Sequence, residues 1–221
     1  MINGSYPNNM IKLSSLLLGG AAAVLFSSMA GAQSFLGRPY AAFELGHERR
    51  ETKLDTYDGV LLGATVNAPV HLRRPQDPGL DLHLAGNLAL LAEDEFELRE
   101  WRYEALLRGY LPLGLAFTAY GATGWSGIST RIEQELISFT ERGSYLPVEL
   151  GAQIRLGQLS LVPFARYSVA LERGFDDYWA AGGTLAYWFS QRWAVTAKVT
   201  HTDFDHHQTR LSSTLGFVYS Y

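Results

Sequence analysis

From Pro39 to the C-terminus the chain alternates residue by residue between apolar and small or polar side chains. Val60, Leu62, Ala64 and Val66 alternate with Gly59, Leu61, Gly63 and Thr65. Trp101, Tyr103, Ala105 and Leu107 alternate with Arg102, Glu104, Leu106 and Arg108. Leu211, Leu215, Phe217, Tyr219 and Tyr221 alternate with Ser212, Thr214, Gly216, Val218 and Ser220. Successive side chains on an extended strand point to opposite faces, so this period of two demands strands with one apolar face. Ten strands are predicted, over 39–48, 57–67, 80–91, 97–108, 113–123, 146–156, 159–171, 178–189, 192–202 and 209–221. Most are near the length of about 9–11 residues that a tilted strand needs to cross a bilayer.

The second face carries full charges: Glu44, Asp81, Arg102, Glu104, Arg108, Glu149, Arg155, Arg166 and Lys198. In a water-soluble sandwich these residues would face out. In a barrel set in lipid the order is reversed, with a polar interior and an apolar exterior. The connections help to choose between the two. Gly157-Gln158, Ser190-Gln191 and Tyr110-Leu111-Pro112 read as tight turns, whereas 47–56, 92–95, 124–145, 172–177 and 203–208 are longer and polar. Short turns on one side and long loops on the other are the pattern of a membrane barrel. With ten strands every tight turn falls on the side of both termini. The Pro-containing connection from Ala68 to Gly79 is long for that side.

The N-terminus adds an export signal. Lys12 precedes the apolar run Leu16 to Phe26, and Ala30-Gly31-Ala32 follows. A positive start, a short apolar stretch and an A-x-A site form a secretory signal peptide. Cleavage after Ala32 divides the chain into a signal peptide, 1–32, and a barrel domain, 33–221. The polar stretch Ile2 to Asn9 makes Met10 an alternative start. There are no cysteines, which rules out disulfides, thiolate metal sites and a lipid-anchored cysteine. A formal net charge of −4 gives no basic face for nucleic acid. Mean hydropathy is −0.03, and no run of about 20 apolar residues follows the signal, so helical membrane spans are excluded.

Aromatic residues gather near the strand ends. Trp101, Trp125 and Trp179 are expected at the outer rim, and Tyr40, Tyr110, Phe189, Trp193 and Tyr221 at the inner rim. Amphipathic rings favour the headgroup level, which gives two girdles. The expected fold is all-β: a transmembrane, antiparallel, up-and-down barrel of about ten strands, with eight as the alternative.

The last strand carries a resemblance. Leu215, Phe217, Tyr219 and the terminal Tyr221 look like the C-terminal signal of bacterial outer-membrane barrels, which usually ends in Phe. The mature chain resembles the small monomeric barrels of the opacity-protein and OmpX kind, most of which have eight strands. The resemblance implies an integral protein of the Gram-negative outer membrane. It would be surrounded by outer-membrane lipid and lipopolysaccharide, and inserted by the barrel-assembly machinery through Phe217, Tyr219 and Tyr221.

Chemistry is sparse. Asp81-Leu82-His83 has the spacing of a catalytic pair, but lies near the periplasmic end, opposite to the outer-rim Asp and His pairs of omptin proteases. His201-Thr202-Asp203 begins like a lipid A deacylase segment but lacks its Ser and Asn. No catalytic residue and no cofactor is expected. His201, Asp203, Asp205, His206 and His207 are ligand types suited to a divalent metal, or alternatively a solvated turn. Inside a narrow barrel, Arg102, Arg108, Arg155, Arg166 and Lys198 would pair with Glu44, Asp81, Glu104, Glu149 and Glu172, because an unpaired buried charge is costly. That interior reads as a plug, since wide aqueous channels belong to barrels of roughly 16 strands. The expected role is structural or a surface interaction through the loops. Alternatives are a narrow, porin-like channel and, behind it, an outer-membrane enzyme.

The connection from Gly124 to Tyr145 is the candidate for binding an extracellular partner. Thr130-Arg131-Ile132-Glu133 matches a capping box. Ile132, Leu136 and Phe139 recur at helical spacing, so a helix over 131–141 is one expectation. Extension of the two flanking strands above the membrane is the other.

Overall fold

The computed structural model describes residues 34–53, 55–70, 77–93, 96–134, 137–204 and 208–221. The export segment, with Ala30 and Ala32, lies outside them. The strands are β1 (Tyr40–Glu51), β2 (Thr56–Pro69), β3 (Gly79–Glu93), β4 (Phe96–Pro112), β5 (Phe117–Gln134), β6 (Ile137–Leu156), β7 (Leu159–Ala170), β8 (Tyr178–Trp188), β9 (Trp193–Phe204) and β10 (Gln208–Ser220). They form one closed antiparallel barrel in chain order, β10 returning to β1 from Tyr40↔Ser220 to Glu51↔Thr209. Closure pairs every strand on both sides through the membrane, which lipid requires because it offers backbone groups no hydrogen bonds. The ten-strand expectation holds, and eight is set aside.

The alternation is inverted relative to a soluble protein. Leu150, Leu215 and Phe217 are 68%, 70% and 61% exposed, while Glu48, Asp81 and Gln153 are fully buried. Apolar side chains face out around the whole wall and polar ones face in. From Trp101 to Leu111 on β4, a rise of about 3.4 Å per residue and a tilt of about 40° span about 25 Å, the height of an apolar barrel belt.

Two prolines interrupt the ladder. The β5–β6 register passes from Thr123↔Val148 to Ser126↔Tyr145, skipping Pro147. The β6–β7 register passes from Gly151↔Phe164 to Ile154↔Leu161, skipping Pro163. Proline has no N–H to give, and beside Pro147 the Thr123 hydroxyl donates to its carbonyl at 2.9 Å.

The wall is uneven in height. β5 and β6 have 18 and 20 residues, whereas β8 has 11 and β9 has 12. The surplus stands at the end away from the termini, as a β5–β6 ribbon pairing Ser129↔Arg142, Arg131↔Thr140 and Ile132↔Phe139. The helical expectation for 131–141 is therefore overturned and the strand extension stands; Leu136 lies outside the described residues. Thr130 caps nothing, because its hydroxyl donates to Glu100 at 3.0 Å. Cross-strand pairing satisfies the backbone that an isolated helical turn would leave partly open.

Candidate functional site: the lumen and the outer rim

The alternation sends charges inward, and the register decides which of them meet. In the upper layer, towards the long loops, Glu48 of β1 and Glu100 of β4 face Arg50, Arg102 and Arg210. Glu100 receives Arg50 at 2.5 Å, Arg102 at 2.6 Å and Arg210 at 3.0 Å. Glu48 receives Arg102, and Arg210 lies 3.3 Å away. In the lower layer Arg166 bridges Glu104 at 2.7 Å and Glu149 at 2.5 Å, and His83 Nε2 stands 3.5 Å from Glu104. Lys198 and Glu44 are 3.9 Å apart. Each layer joins strands from different parts of the wall, so the ion pairs act as cross-braces.

The residues expected to form a lumen network take several places in the wall. Glu44, Arg102, Glu104, Glu149, Arg166 and Lys198 take part in the inward ion pairs. Arg108 faces the lumen, but its guanidinium lies over the Tyr120 ring at 5.0 Å. Arg155 stands near the periplasmic end opposite Ser160, away from both layers. Glu172 is an exposed loop residue that accepts the Ser144 hydroxyl at 3.0 Å. An inward parity is therefore insufficient: pairing needs a partner at the same height across the lumen. Glu48, Arg50, Glu100 and Arg210 were the residues missed. Only Arg50 lies beyond its expected strand end, because β1 runs on to Glu51; for all four, even-numbered parity is the available signal.

At the end that carries the short turns, the segment just before β1 folds into the lumen. Phe35 packs against Tyr40 and Trp188, with ring centroids 5.5 and 5.3 Å away, in a cluster with Val218. Leu36 packs with Tyr110 and Tyr120. The Gln153 side-chain oxygen accepts the Ser34 hydroxyl at 2.8 Å and the Phe35 N–H at 3.2 Å, while its amide donates to Ser160 at 2.6 Å. Asp81 accepts the Gly37 N–H at 2.9 Å. Gly37 has φ +74°, and a Cβ there would sit 2.6 Å from the Tyr110 hydroxyl. Tyr40 and Tyr110 were expected in the inner girdle, but both point inward and are buried. Their even-numbered parity matches that of Glu44 and Arg108. Phe189, Trp193 and Tyr221 do face out at that rim.

Between plug and upper layer lies a cavity of about 230 Å³. Its lining joins the charged side chains of Glu44, Arg102, Glu104, Arg166, Lys198 and Arg210 to the short Thr184, Thr196, Thr200 and Thr214 of β8–β10.

The sequence candidates for metal binding do not converge on the lumen. Inward Thr202 makes His201 and Asp203 outward residues, and His201 lies against Trp179 at 5.6 Å. Asp205, His206 and His207 lie outside the described residues, among which no cluster of three such ligands occurs. Asp81 and His83 are inward and low, as their parity requires. Asp81 is engaged with the plug and His83 with Glu104.

At the outer rim Trp101, Tyr103, Trp125 and Trp179 face out, and the Tyr103 and Trp125 rings pack at a tilt with centroids 5.2 Å apart. Gly127 makes room for the Tyr103 ring, which lies 2.4 Å from where a Cβ would stand.

No protein-family model matches the chain. No curated protein matches it either. Solved structures do. The translocator domain of the autotransporter NalP from Neisseria meningitidis is 10% identical, with 96% of this chain and 98% of that one covered and a TM-score of 0.51. The outer-membrane protease OmpT from Escherichia coli is 10% identical, with 88% and 100% covered and a TM-score of 0.50. Neisserial surface protein A is 8% identical, with 83% and 97% covered and a TM-score of 0.48. At such identities the first two likenesses speak for the fold alone: a small β-barrel of outer-membrane architecture, here with ten strands, an apolar belt and a charged lumen.

Proposed function

We propose that the barrel is a closed, non-catalytic scaffold that holds the β5–β6 ribbon at the cell surface for interaction with an extracellular partner. The observation that carries this is the uneven wall: the ribbon rises on a lumen braced by two ion-pair layers and plugged below. Function tends to sit on long segments held by a rigid frame. Beyond the pairing Tyr145↔Ala170 and the bond from the Leu171 N–H to the Ser144 carbonyl, the far edge of β6 has no strand partner among the described residues. Such an edge can add a strand from another chain.

The test is to replace residues 133–138 by an Asn-Gly turn, which joins the paired Ile132 and Phe139, and to score adhesion of expressing cells to matrix proteins and to one another. The barrel should fold, as read by the heat-modifiable gel shift, and adhesion should fall. A folded variant with unchanged adhesion makes the ribbon a spacer and overturns the reading.

The polar-lined cavity favours a second reading, a narrow channel through the lumen. Discrete openings of the intact protein in planar bilayers would support it against the plugged scaffold.

In the same reading the chain is exported on the segment ending Ala30-Gly31-Ala32 and inserts as a monomer among lipopolysaccharide. The barrel-assembly machinery would recognise Phe217, Tyr219 and Tyr221. Phe217 and Tyr221 face outward, and Tyr219 stacks on Trp193 at 4.7 Å. Removing Tyr221, or changing Phe217 and Tyr219 to Ser, should lower outer-membrane yield. Unchanged yield would reduce the motif to an ordinary strand end.

A further inference from the structure

The outward face of the wall at the root of the ribbon carries an unusual order of charge. Three cross-strand rows run over β3–β6. The lowest is Leu88, Trp101, Ser129 and Arg142; above it come Leu90, Arg99, Arg131 and Thr140; above that Ala92, Glu97, Glu133 and Ser138. Arg99 is thus directly opposite Arg131, and Glu97 directly opposite Glu133. Like charges facing each other across a strand pair destabilise it, and a sheet meant for water alone would alternate signs.

Arg131 is tied to Glu133 at 2.7 Å. Among the described residues Arg99 and Arg142 have no ion-pair or hydrogen-bond partner. Arg142 stands on the neighbouring strand one outward row below Arg131, so the three arginines occupy a triangle of adjoining register positions on one outward face. That triangle begins in the row of Trp101, at the level where the aromatic girdle places the lipid headgroups. A groove of about 210 Å³ lies beside it, lined by Leu90, Ala92, Glu97, Arg99, Arg131 and Glu133. Its apolar side, Leu90, continues down into the lipid-facing belt through Leu88.

We propose that Arg99, Arg131 and Arg142 bind a phosphate of an outer-leaflet lipid headgroup, whose acyl chain lies along Leu90 and Leu88. Guanidinium forks match phosphate oxygens in geometry and charge. A phosphate between Arg99 and Arg131 turns their repulsion into shared attraction. The carboxylate row above marks the upper edge of the anion site. The apolar side selects a lipid over a free anion. The proposal rests on the ribbon standing at the cell surface, since that puts these rows in the outer leaflet.

The test uses the purified full-length barrel in a zwitterionic detergent and four probes: bisphosphorylated lipid A, lipid A lacking both phosphates, inorganic phosphate and phosphatidylcholine. Bound lipid is counted by native mass spectrometry and affinity by titration. The wild type should bind bisphosphorylated lipid A at least tenfold more tightly than the other three. Arg99→Gln with Arg131→Gln should abolish that preference, Arg142→Gln should weaken it, and Glu97→Gln with Glu133→Gln should preserve it. All are surface changes, and the gel shift confirms that each variant is folded. Equal binding by the double arginine variant overturns the proposal. So does equal binding of the phosphate-free lipid, which would mean acyl packing alone, or of inorganic phosphate, which would mean a free-anion site. Normal lipid selectivity with unchanged adhesion of the shortened ribbon would sink the surface-interaction reading and leave this one standing.

Discussion

Gln153, midway along the inward face of β6's lower half, accepts the backbone N–H of Phe35, 118 residues earlier in the chain, at 3.2 Å. This one amide therefore ties the barrel wall to the segment that packs into its lower mouth. Replacing Gln153 with Leu leaves the Ser34, Phe35 and Ser160 polar groups short of a buried partner, an expected loss of about 1–3 kcal/mol. Urea unfolding in lipid vesicles measures it. Deleting residues 34–37 should leave the strand ladder folded and raise ion conductance in planar bilayers. Conductance unchanged by the deletion would mean that the ion-pair layers alone close the lumen.

The upper layer gathers three arginines around two carboxylates, so each carboxylate matters more than any one arginine. Glu100→Ala should destabilise the barrel by about 3–5 kcal/mol, because it strands buried cations. Arg50→Met should cost less, since Glu100 keeps Arg102 and Arg210. The temperature at which the heat-modifiable band shifts orders the variants. An equal shift for both would mean that the layer does not act as a network.

The parity of turns predicts the orientation, with the ribbon outside the cell. A cysteine at Ser138, in the ribbon, should react with a membrane-impermeant thiol reagent on intact cells. Cysteines at Gln158 and Gln191, in the short turns, should react only after lysis. Labelling of Gln158 on unbroken cells would invert the barrel, and with it both the ribbon and the lipid-phosphate readings.

Outside the membrane belt, the Asp177 carboxylate accepts the Ala170 N–H and the Tyr167 hydroxyl, both at 2.8 Å. The Ala170 N–H and then the Tyr167 hydroxyl hold its carboxyl below the ordinary value. A depressed carboxyl contributes stability above its unfolded value, near 3.9, and loses it as pH falls through the lower folded value. The β7–β8 loop should therefore stay pinned from neutral pH down to about 4 and loosen only in stronger acid. Carbon NMR of the Asp177 carboxyl in micelles follows this directly. A midpoint at or above the free-carboxyl value would rule out the staple, and Asp177→Asn should remove the transition.

Much of the architecture was legible in the alternation. Strand number and the inward direction of Glu104, Glu149 and Arg166 follow from a period of two, because parity along a strand is a local property. The tight turns at 157–158 and 190–191 fall where expected, but Tyr110-Leu111-Pro112 pairs within β4 and its turn lies at 113–116, since a proline at a ladder edge need not end a strand. Parity also carried Tyr40 and Tyr110 into the lumen, where position near a strand end had suggested the rim. At 131–141 the helical and extended patterns were both locally satisfied; the choice fell to pairing partners such as Ile132↔Phe139.

By itself the sequence determined that the chain must be a set of two-faced strands with charge on one face and lipid-compatible side chains on the other. Side-chain direction on a strand needs no knowledge of the rest of the fold. Only the tertiary structure decided which charges meet, that Phe35 and Leu36 pack into the lower mouth, and that Arg99 stands opposite Arg131. Those relationships depend on register, barrel closure and height along the axis, which couple residues far apart in the chain.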